Sequence, residues 1–506
     1  MPLSGLDYAL AGAGTFLAYK YATRPDPRPL PPGPKGLPLI GNMLDLPQSH
    51  AWKTFAKWGE EYGPICSINV LGTRLVIIND PDVAVDLLDK RAKNTSDRPS
   101  LHMADLIGWD RTISNLRSEN THKEYRKLVG RVIGTRGHVH KFDRTSELQA
   151  TLFLRRLLEN HNDPETAIRT TALSVVLALV YGYKIQEKDD PFVKIADQVM
   201  AEFGDVTRPG AYMVDVFPAL KHVPAWFPGA GFQKKAAEYR KTLETFAEMP
   251  WQIVRKSVEA GEDNNSYAAN LLREGDLSEK RLHEIKWSAS SFYAAGSDTT
   301  VSIILNYFIA ACKYPEVQKK AQAEIDRVVG TDRLPTIADR ANLPYVEALV
   351  TELYRWLPVA PLALPHRAVN DDVYNGMLIP KDATIFANVW NFFHNPAIYK
   401  EPFEFNPERF LGETPERDPR DIGVFGFGRR SCPGEHLADV SVWISVTKAI
   451  AAFNVEKALD EQGNPIEPVA EGMDGIISRP LPFPCVAKPR SEQYLHIIDE
   501  DIARLS

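Results

Sequence analysis

Four cysteines are few for 506 residues, and Cys66, Cys312, Cys432 and Cys485 stand so far apart that no CxxC pair or zinc-ligand spacing exists. Such scarcity argues against a disulfide-stapled secreted domain and for a reducing compartment. Positive charge is not in excess either: 59 Lys and Arg against 66 Asp and Glu leave a formal net charge of -7. With no basic tract interleaved with aromatics, nucleic acid is not expected as a partner. The glycine clusters GAG at residues 12–14 and GAGF at 229–232 follow no strand, so a dinucleotide fingerprint is missing as well. Repeats and low-complexity linkers are absent from the body of the chain, which leaves one large unit. What the chain does have, 44% hydrophobic and 25% charged residues, suits a globular protein with a sizeable core.

One long, largely apolar run, LSGLDYALAGAGTFLAYKYA, opens the chain. Roughly 20 such residues suffice to cross a bilayer. Its positive charges, Lys20, Arg24 and Arg28, come after most of the run, which argues against a cleaved leader and for an anchor that leaves the rest of the chain cytosolic. Residues 1–22 are read as a membrane anchor and 23–40 as a proline-rich hinge, stiffened between Pro25 and Pro34 because proline fixes φ and removes donors. Residues 41–506 are read as a single catalytic domain.

The segments WKTFAKWGEEYG, DVAVDLLDKRA, EYRKLVGRVIG, LQATLFLRRLLENH and TALSVVLALVYG carry apolar residues at three- and four-residue spacing and predict helices. Pro315 opens and Gly330 closes a further helix, and another runs from about Tyr345 to Trp356 before Pro358. Strand signals are few: TRLVIIND, and a hairpin from Val373 to Asn388 turning at Asn375-Gly376. The expected class is mainly α with a small β element, α+β.

Chemistry concentrates in FGFGRRSCPGEHLADVSVWISVTKAIAAF, residues 425–453, where a glycine-rich loop delivers Cys432 to the start of an amphipathic helix. Peptide N–H groups at a helix start favour a thiolate, and Gly426, Gly428 and Gly434 let backbone approach a bulky partner. Taken alone, this leaves an iron porphyrin ligand, a nucleophile and an inert thiol all open. Upstream, SFYAAGSDTT lies in an unusually long helical stretch that starts near Ser278. There Ala294, Ala295 and Gly296 allow close approach to a flat molecule, and a Thr299 hydroxyl bonded back to the preceding turn would open a groove.

Phe425, Gly428, Arg430, Cys432 and Gly434 match FxxGxRxCxG, and on that match the chain resembles the cytochrome P-450 superfamily, whose fold would hold haem between the long AGSDTT helix and the helix after Cys432. The resemblance implies haem b with Cys432 as axial iron ligand, and Arg430 on a haem propionate. AGSDT, with Ala295, Gly296, Asp298 and Thr299, resembles the oxygen-activating segment, in which Thr299 would help deliver protons and Asp298 would feed them. Glu352, Arg355 and Arg409, in ELYRW and FNPERF, resemble the structural triad that locks a helix against the cysteine loop. His366 stands where members place a propionate-binding His or Arg, and Arg126 resembles the arginine of WxxxR, with His122 replacing the tryptophan. Family analogy lines a substrate pocket with Met103, Leu106, Trp109, Phe203, Phe292, Ala295, Val359, Leu362 and Ile476, mostly apolar and suited to a lipophilic small molecule.

The implied reaction is a monooxygenation, with electrons from NADPH through a separate flavoprotein, NADPH–cytochrome P-450 reductase, on the endoplasmic reticulum membrane. Arg126, Lys127, Arg131 and Arg429 are the candidate basic docking patch. TSDRP, AGSDTT and FNPERF are similar to microsomal members of fungal secondary metabolism, where terpenoids, polyketides and indoles are substrates. The rival readings are a haem-thiolate isomerase or peroxide-using enzyme, against which Asp298 and Thr299 argue, and a non-catalytic haem sensor.

Overall fold

The computed structural model describes residues 28–117, 119–208, 210–275 and 277–506, so the expected anchor at 1–22 lies outside the described residues. Among the described residues no helix is long and apolar enough to cross a membrane. The amphipathic patterns fold as α1 (Ala51–Tyr62), α2 (Glu119–Ile133), α3 (Asp143–Glu159) and α4 (Pro164–Tyr181). Next come α5 (Pro191–Thr207), α6 (Gly231–Glu259), α7 (Glu279–Lys313), α8 (Pro315–Val328) and α9 (Pro344–Trp356). After the cysteine loop follow α10 (Glu435–Ala452) and α11 (Gln493–Leu505). The chain is mainly helical with small sheets, as expected.

One expected helix differs. In DVAVDLLDKRA the Asp80 carboxylate caps a single turn, Pro81–Ala84, and the chain then widens into a π-helix over Val85–Lys90. This segment buries Leu87 and Leu88 in the sheet core and offers Asp89 to the cysteine loop.

The strands are β1 (Ile65–Val70), β2 (Thr73–Ile78), β3 (His366–Arg367), β4 (Asp372–Tyr374), β5 (Met377–Ile379), β6 (Thr384–Ala387), β7 (Phe453–Lys457) and β8 (Cys485–Pro489). They form a sheet of order β1-β2-β6-β3, the hairpin β4-β5 and a two-stranded sheet β7-β8. The expected hairpin from Val373 to Asn388 is corrected to β4-β5 alone. Asn375 and Gly376 both adopt positive φ at its turn, the twist-matched geometry for a two-residue loop. The second half, β6, leaves to pair parallel with β2, because Ile385 and Ala387 bury in the sheet core only there.

The described part of the proline-rich segment, from Arg28 on, is docked on the sheets. Prolines lack N–H but keep carbonyls: Pro29 accepts from Leu378 N at 2.7 Å, and Pro31 and Pro32 accept from the Ser67 hydroxyl and N–H at 2.7 and 2.8 Å.

At 35 residues, α7 spans about 52 Å and threads two apolar cores. Its first half, through Ala294, packs with α2, α4, α5 and α6, while Val301 to Cys312 packs with α3, α8, α9 and α10. Residues 295–300 belong to neither core. That gap is what positions the site.

An unexpected element, α11, is tied down by charge: Lys448 on α10, fully buried, donates to Asp501 at 2.8 Å and to Thr151 on α3 at 2.6 Å. Lys448, Thr151 and Arg504 together outweigh the burial that would push the Asp501 carboxyl up, and leave it below its ordinary 3.8. A carboxyl depressed on folding adds stability that is complete above the unfolded value and lost as pH falls through the folded one. Acidification from pH 6 to below about 3.8 should therefore release α11 first. Amide hydrogen exchange across 493–505 is the measurement; uniform deprotection of the whole chain would count against it.

Candidate active site

The cysteine loop is built by glycine geometry and backbone bonds. Gly428 sits at φ +51, and a β-carbon there would strike the Leu88 carbonyl, so this glycine serves packing of the loop on the π-helix. Its N–H donates to Asp89. Phe425 accepts from Cys432 N at 2.7 Å through its carbonyl, and its ring lies 5.5 Å from that of Tyr354 on α9. Gly434 caps α10 at φ -94, and a β-carbon there would lie 3.8 Å from Cys432 Sγ.

Cys432 is accessible, unlike the other three cysteines, yet enough protein surrounds it that burial pushes its thiol pKa up. The N–H groups of Gly434 and Glu435 and the charge of Arg126 pull the other way, and the Glu435 carboxylate opposes them. The helix start alone thus does not outweigh the burial around the sulfur. A metal cation is the partner that favours the thiolate in such a place.

Around this loop five basic side chains converge from four segments: Arg98, His122 and Arg126 of α2, His366 and Arg430. Arg430 donates to the carbonyls of Ser96 at 2.6 Å and Leu116 at 2.7 Å. Arg98 donates to Ser114 O at 2.9 Å, Leu364 O at 2.7 Å and Pro365 O at 2.8 Å. Arg126 donates to Ser431 O, and His366 Nδ1 lies 2.8 Å from Thr95 O. Burial, then mutual repulsion, pushes all the better-enclosed members down: Arg98 to about 9, Arg430 to about 10, and His122 and His366 each to about 3. Asp97, the carboxylate acting on Arg98 and Arg430, is itself bonded to Arg367. Three clustered arginines sharing one engaged carboxylate, with two neutral imidazoles beside them as N–H donors, suit a dianion, and with a nearby sulfur donor they fit the two propionates and iron of haem. His122 belongs to this group. Arg98 was not singled out in the sequence, because its partners lie across 266 residues and a lone Arg-Pro in a loop carries no spacing signal.

The same cluster connects to α7. Arg430 reaches the loop carbonyls of Ile113 and Leu116, and Ile113 N donates to Ser291 Oγ on α7 at 3.0 Å. One turn further, Ala295 is exposed and Gly296, Thr299 and Thr300 are half-buried, although both flanks of the helix are buried. Thr299 Oγ1 donates to Ala295 O at 2.8 Å. Asp298 points elsewhere, into a buried setting where its Oδ1 lies 3.5 Å from both Arg169 and Arg479 without a hydrogen bond to either.

Of the apolar lining residues, Met103, Trp109, Phe203 and Phe292 share one cluster, with Leu106 at its margin and the Trp109 and Phe203 rings 4.4 Å apart. Val359 packs against the other core, and Ile476 is half-buried on a separate hairpin. Leu362 is not brought to them: it packs against Ala51, Phe55, Cys66, Ile68 and Ile77 beside the N-terminal sheet. The expected basic patch is also redrawn. Arg126 turns inward, while Lys127, Arg131 and Arg429 stay exposed, the last two paired with Glu274 at 3.1 Å and Glu119 at 3.0 Å.

Behind the loop, Glu352 and Arg355 are completely buried and joined by two bonds of 2.6 and 2.7 Å, and Arg409 adds a third at 3.1 Å.

The protein-family model described as Cytochrome P450 matches residues 31–483. Cytochrome P450 monooxygenase 208 of Postia placenta is 46% identical over 467 residues, 92% of this chain and 91% of that one. Cytochrome P450 monooxygenase claR of Ampulloclitocybe clavipes is 43% identical over 93% of this chain and 89% of its own. The multifunctional cytochrome P450 monooxygenase af510 of Aspergillus fumigatus is 38% identical over 95% and 92%. A match spanning almost the whole body, on a helical fold that gathers one accessible cysteine, a buried basic cluster and an opened long helix, shows that this chain belongs to the cytochrome P450 family.

Proposed function

We propose that this haem monooxygenase inserts one oxygen atom from dioxygen into a lipophilic small molecule of secondary metabolism, such as a terpenoid, polyketide or indole. The observation that carries the reading is the accessible face of Ala295, Gly296 and Thr299 midway along a helix whose flanks are sealed in two cores. Apolar neighbours Phe292, Met103 and Phe203 favour an apolar substrate.

Cys432 would ligate the iron of haem b, and Arg98, His122, Arg126, His366 and Arg430 would hold its propionates. Bound there, haem supplies oxidation of a C–H bond. The sum is substrate C–H, dioxygen, two electrons and two protons giving an alcohol and water. The electrons come from NADPH through a separate flavoprotein reductase. For that partner, exposed Lys127, Arg131 and Arg429 offer charge, next to a cavity of about 150 Å³ lined by Cys432, Pro433 and His436.

The chain's own residues manage the protons. Thr299, its hydroxyl fixed on the Ala295 carbonyl, presents an oxygen to the open face while leaving the groove clear. Asp298, one residue away, is the candidate group to supply the proton. Burial pushes its carboxyl up, and Arg479 and Arg169 only partly offset this. A carboxyl raised in this way can carry a proton nearer to neutral pH than a solvated one.

The apolar run at residues 3–22, with Lys20, Arg24 and Arg28 near and after its end, supports a single-pass anchor in the endoplasmic reticulum membrane with the catalytic domain facing the cytosol. Residues 41–506 are then one catalytic domain.

The test is a haem spectral-shift screen against a lipophilic metabolite library, followed by turnover with reductase and NADPH. Hits should yield oxygenated product, and Asp298→Asn should lower product formation on the order of 100-fold. An enzyme that binds ligands yet consumes no dioxygen would overturn the monooxygenase assignment.

A further inference from the structure

Residues 471–481 form a hairpin outside every named strand: Gly472 bridges Pro480, Met473 N donates to Arg479 O at 2.6 Å, and Leu481 N donates to Glu471 O at 2.9 Å. It is gripped at several points. His50 N donates to Asp474 at 3.0 Å, Lys53 pairs with Glu471, and Ser478 N donates to Val359 O at 2.7 Å. Ile476 and Ile477, half-buried, stand at its tip.

Arg479 leaves this hairpin in another direction. Its Nη1 lies 3.4 Å from Glu165 on α4, and its Nε lies 3.5 Å from Asp298 on α7. Arg169, also on α4, donates at 2.8 Å to both Glu165 and Asp197, the latter on α5, and lies 3.5 Å from Asp298. Two guanidiniums and three carboxylates from four segments therefore meet. In this group Asp298 is the loose member: Glu165 and Asp197 accept good bonds from Arg169, whereas Asp298 Oδ1, although buried, has only the two longer contacts. A buried carboxylate oxygen flanked by two cations at 3.5 Å is held mainly by charge, and at such short range each charge counts strongly.

We infer that Arg479 is a positioning residue for Asp298, sharing its carboxylate with Arg169 and linking it to the hairpin that carries Ile476 and Ile477. Glu165 sets the opposing pull, since it accepts from both arginines. The inference rests on the proton-supplying role given to Asp298 above.

The experiment uses the holoenzyme in four forms: wild type, Arg479→Gln, Arg479→Lys and Asp298→Asn. Infrared titration follows the Asp298 carboxyl, identified as the band missing in Asp298→Asn. Removing one of two flanking cations should move that titration up by about one pH unit in Arg479→Gln, and Arg479→Lys should restore it. The ferrous–CO band, unchanged in amplitude, certifies the fold of each variant. An unmoved titration in folded Arg479→Gln overturns the inference. The second readout is oxygen reduction with reductase and NADPH, in which two electrons and two protons per dioxygen give hydrogen peroxide and four of each give water. If Asp298→Asn leaves that partition and its pH profile as in wild type, the proton role fails while the coupling of Arg479 to Asp298 stands on the infrared result alone.

Discussion

Cys432→Ser should abolish the red-shifted Soret band of the ferrous–CO complex and, with it, NADPH-dependent oxygen consumption. The sulfur is the one accessible thiol of the four, so a metal has no other cysteine to turn to: Cys66, Cys312 and Cys485 are buried, and burial pushes the Cys66 thiol to about 12. The fold itself should hardly notice. Cys432 is fixed by its backbone, through the 2.7 Å bond to Phe425 O, and serine keeps that bond. A change near 1 kcal/mol is the scale for such a swap. The control is Cys66→Ser, which should retain the band. A Cys432→Ser protein that keeps the band would remove the axial ligand from the proposed site.

How much of this was legible beforehand differs by the range of the contact. Helices with repeating apolar spacing were legible because their signal is local: α1 begins and ends within a residue of the WKTFAKWGEEYG pattern. Cys432, Thr299 and Glu352 were legible because each sits in a motif of fixed short spacing. The back-bond of Thr299 follows from helix geometry alone. Long-range choices were not. Nothing in TIFA says that β6 pairs with β2 instead of closing a hairpin on β4-β5, since both options satisfy the same alternation. Arg98, Arg169 and Arg479 look like ordinary surface arginines until the chain brings α4, α7 and the 471–481 hairpin together. Leu362 shows the reverse error: apolar residues in a lining segment alternate sides, and this one faces the sheet. The thiol pKa of Cys432 shows a different limit, because the favourable helix start is visible in sequence and the opposing burial is not.

Glu352→Gln should leave little folded haem protein at all, although the substituted atom touches no proposed ligand. Among the described residues Arg355 Nη and Nε groups have Glu352 as their sole carboxylate partner; the remaining bonds go to the carbonyls of Phe393 at 2.8 Å, Pro402 at 2.6 Å and Glu404 at 3.1 Å. Removing the charge strands a fully buried guanidinium, at about 3–5 kcal/mol. Against a total stability of about 5–15 kcal/mol, most of the margin disappears. Arg409→Met should cost less, since the Glu352–Arg355 pair survives it, though Glu416 then loses its 2.6 Å partner. The sharper comparison is the double variant Glu352→Leu with Arg355→Met. If the pair serves only to cancel its own charges, a well-packed apolar replacement should restore stability. Here it should not. Besides each other, the two side chains satisfy Phe393 O, Pro402 O, Glu404 O and Asn406 N, the last donating to Glu352 at 2.9 Å. Those bonds fix the segment 393–406, and an apolar pair would strip Phe393 O, Pro402 O and Asn406 N of these partners, at about 1–3 kcal/mol each, while Glu404 O keeps Arg409 at 3.3 Å. Soluble yield, thermal midpoint and the ferrous–CO band of the three variants decide the matter; a double variant as stable as wild type would show that the triad is a charge pair and not a clamp on the chain behind Cys432.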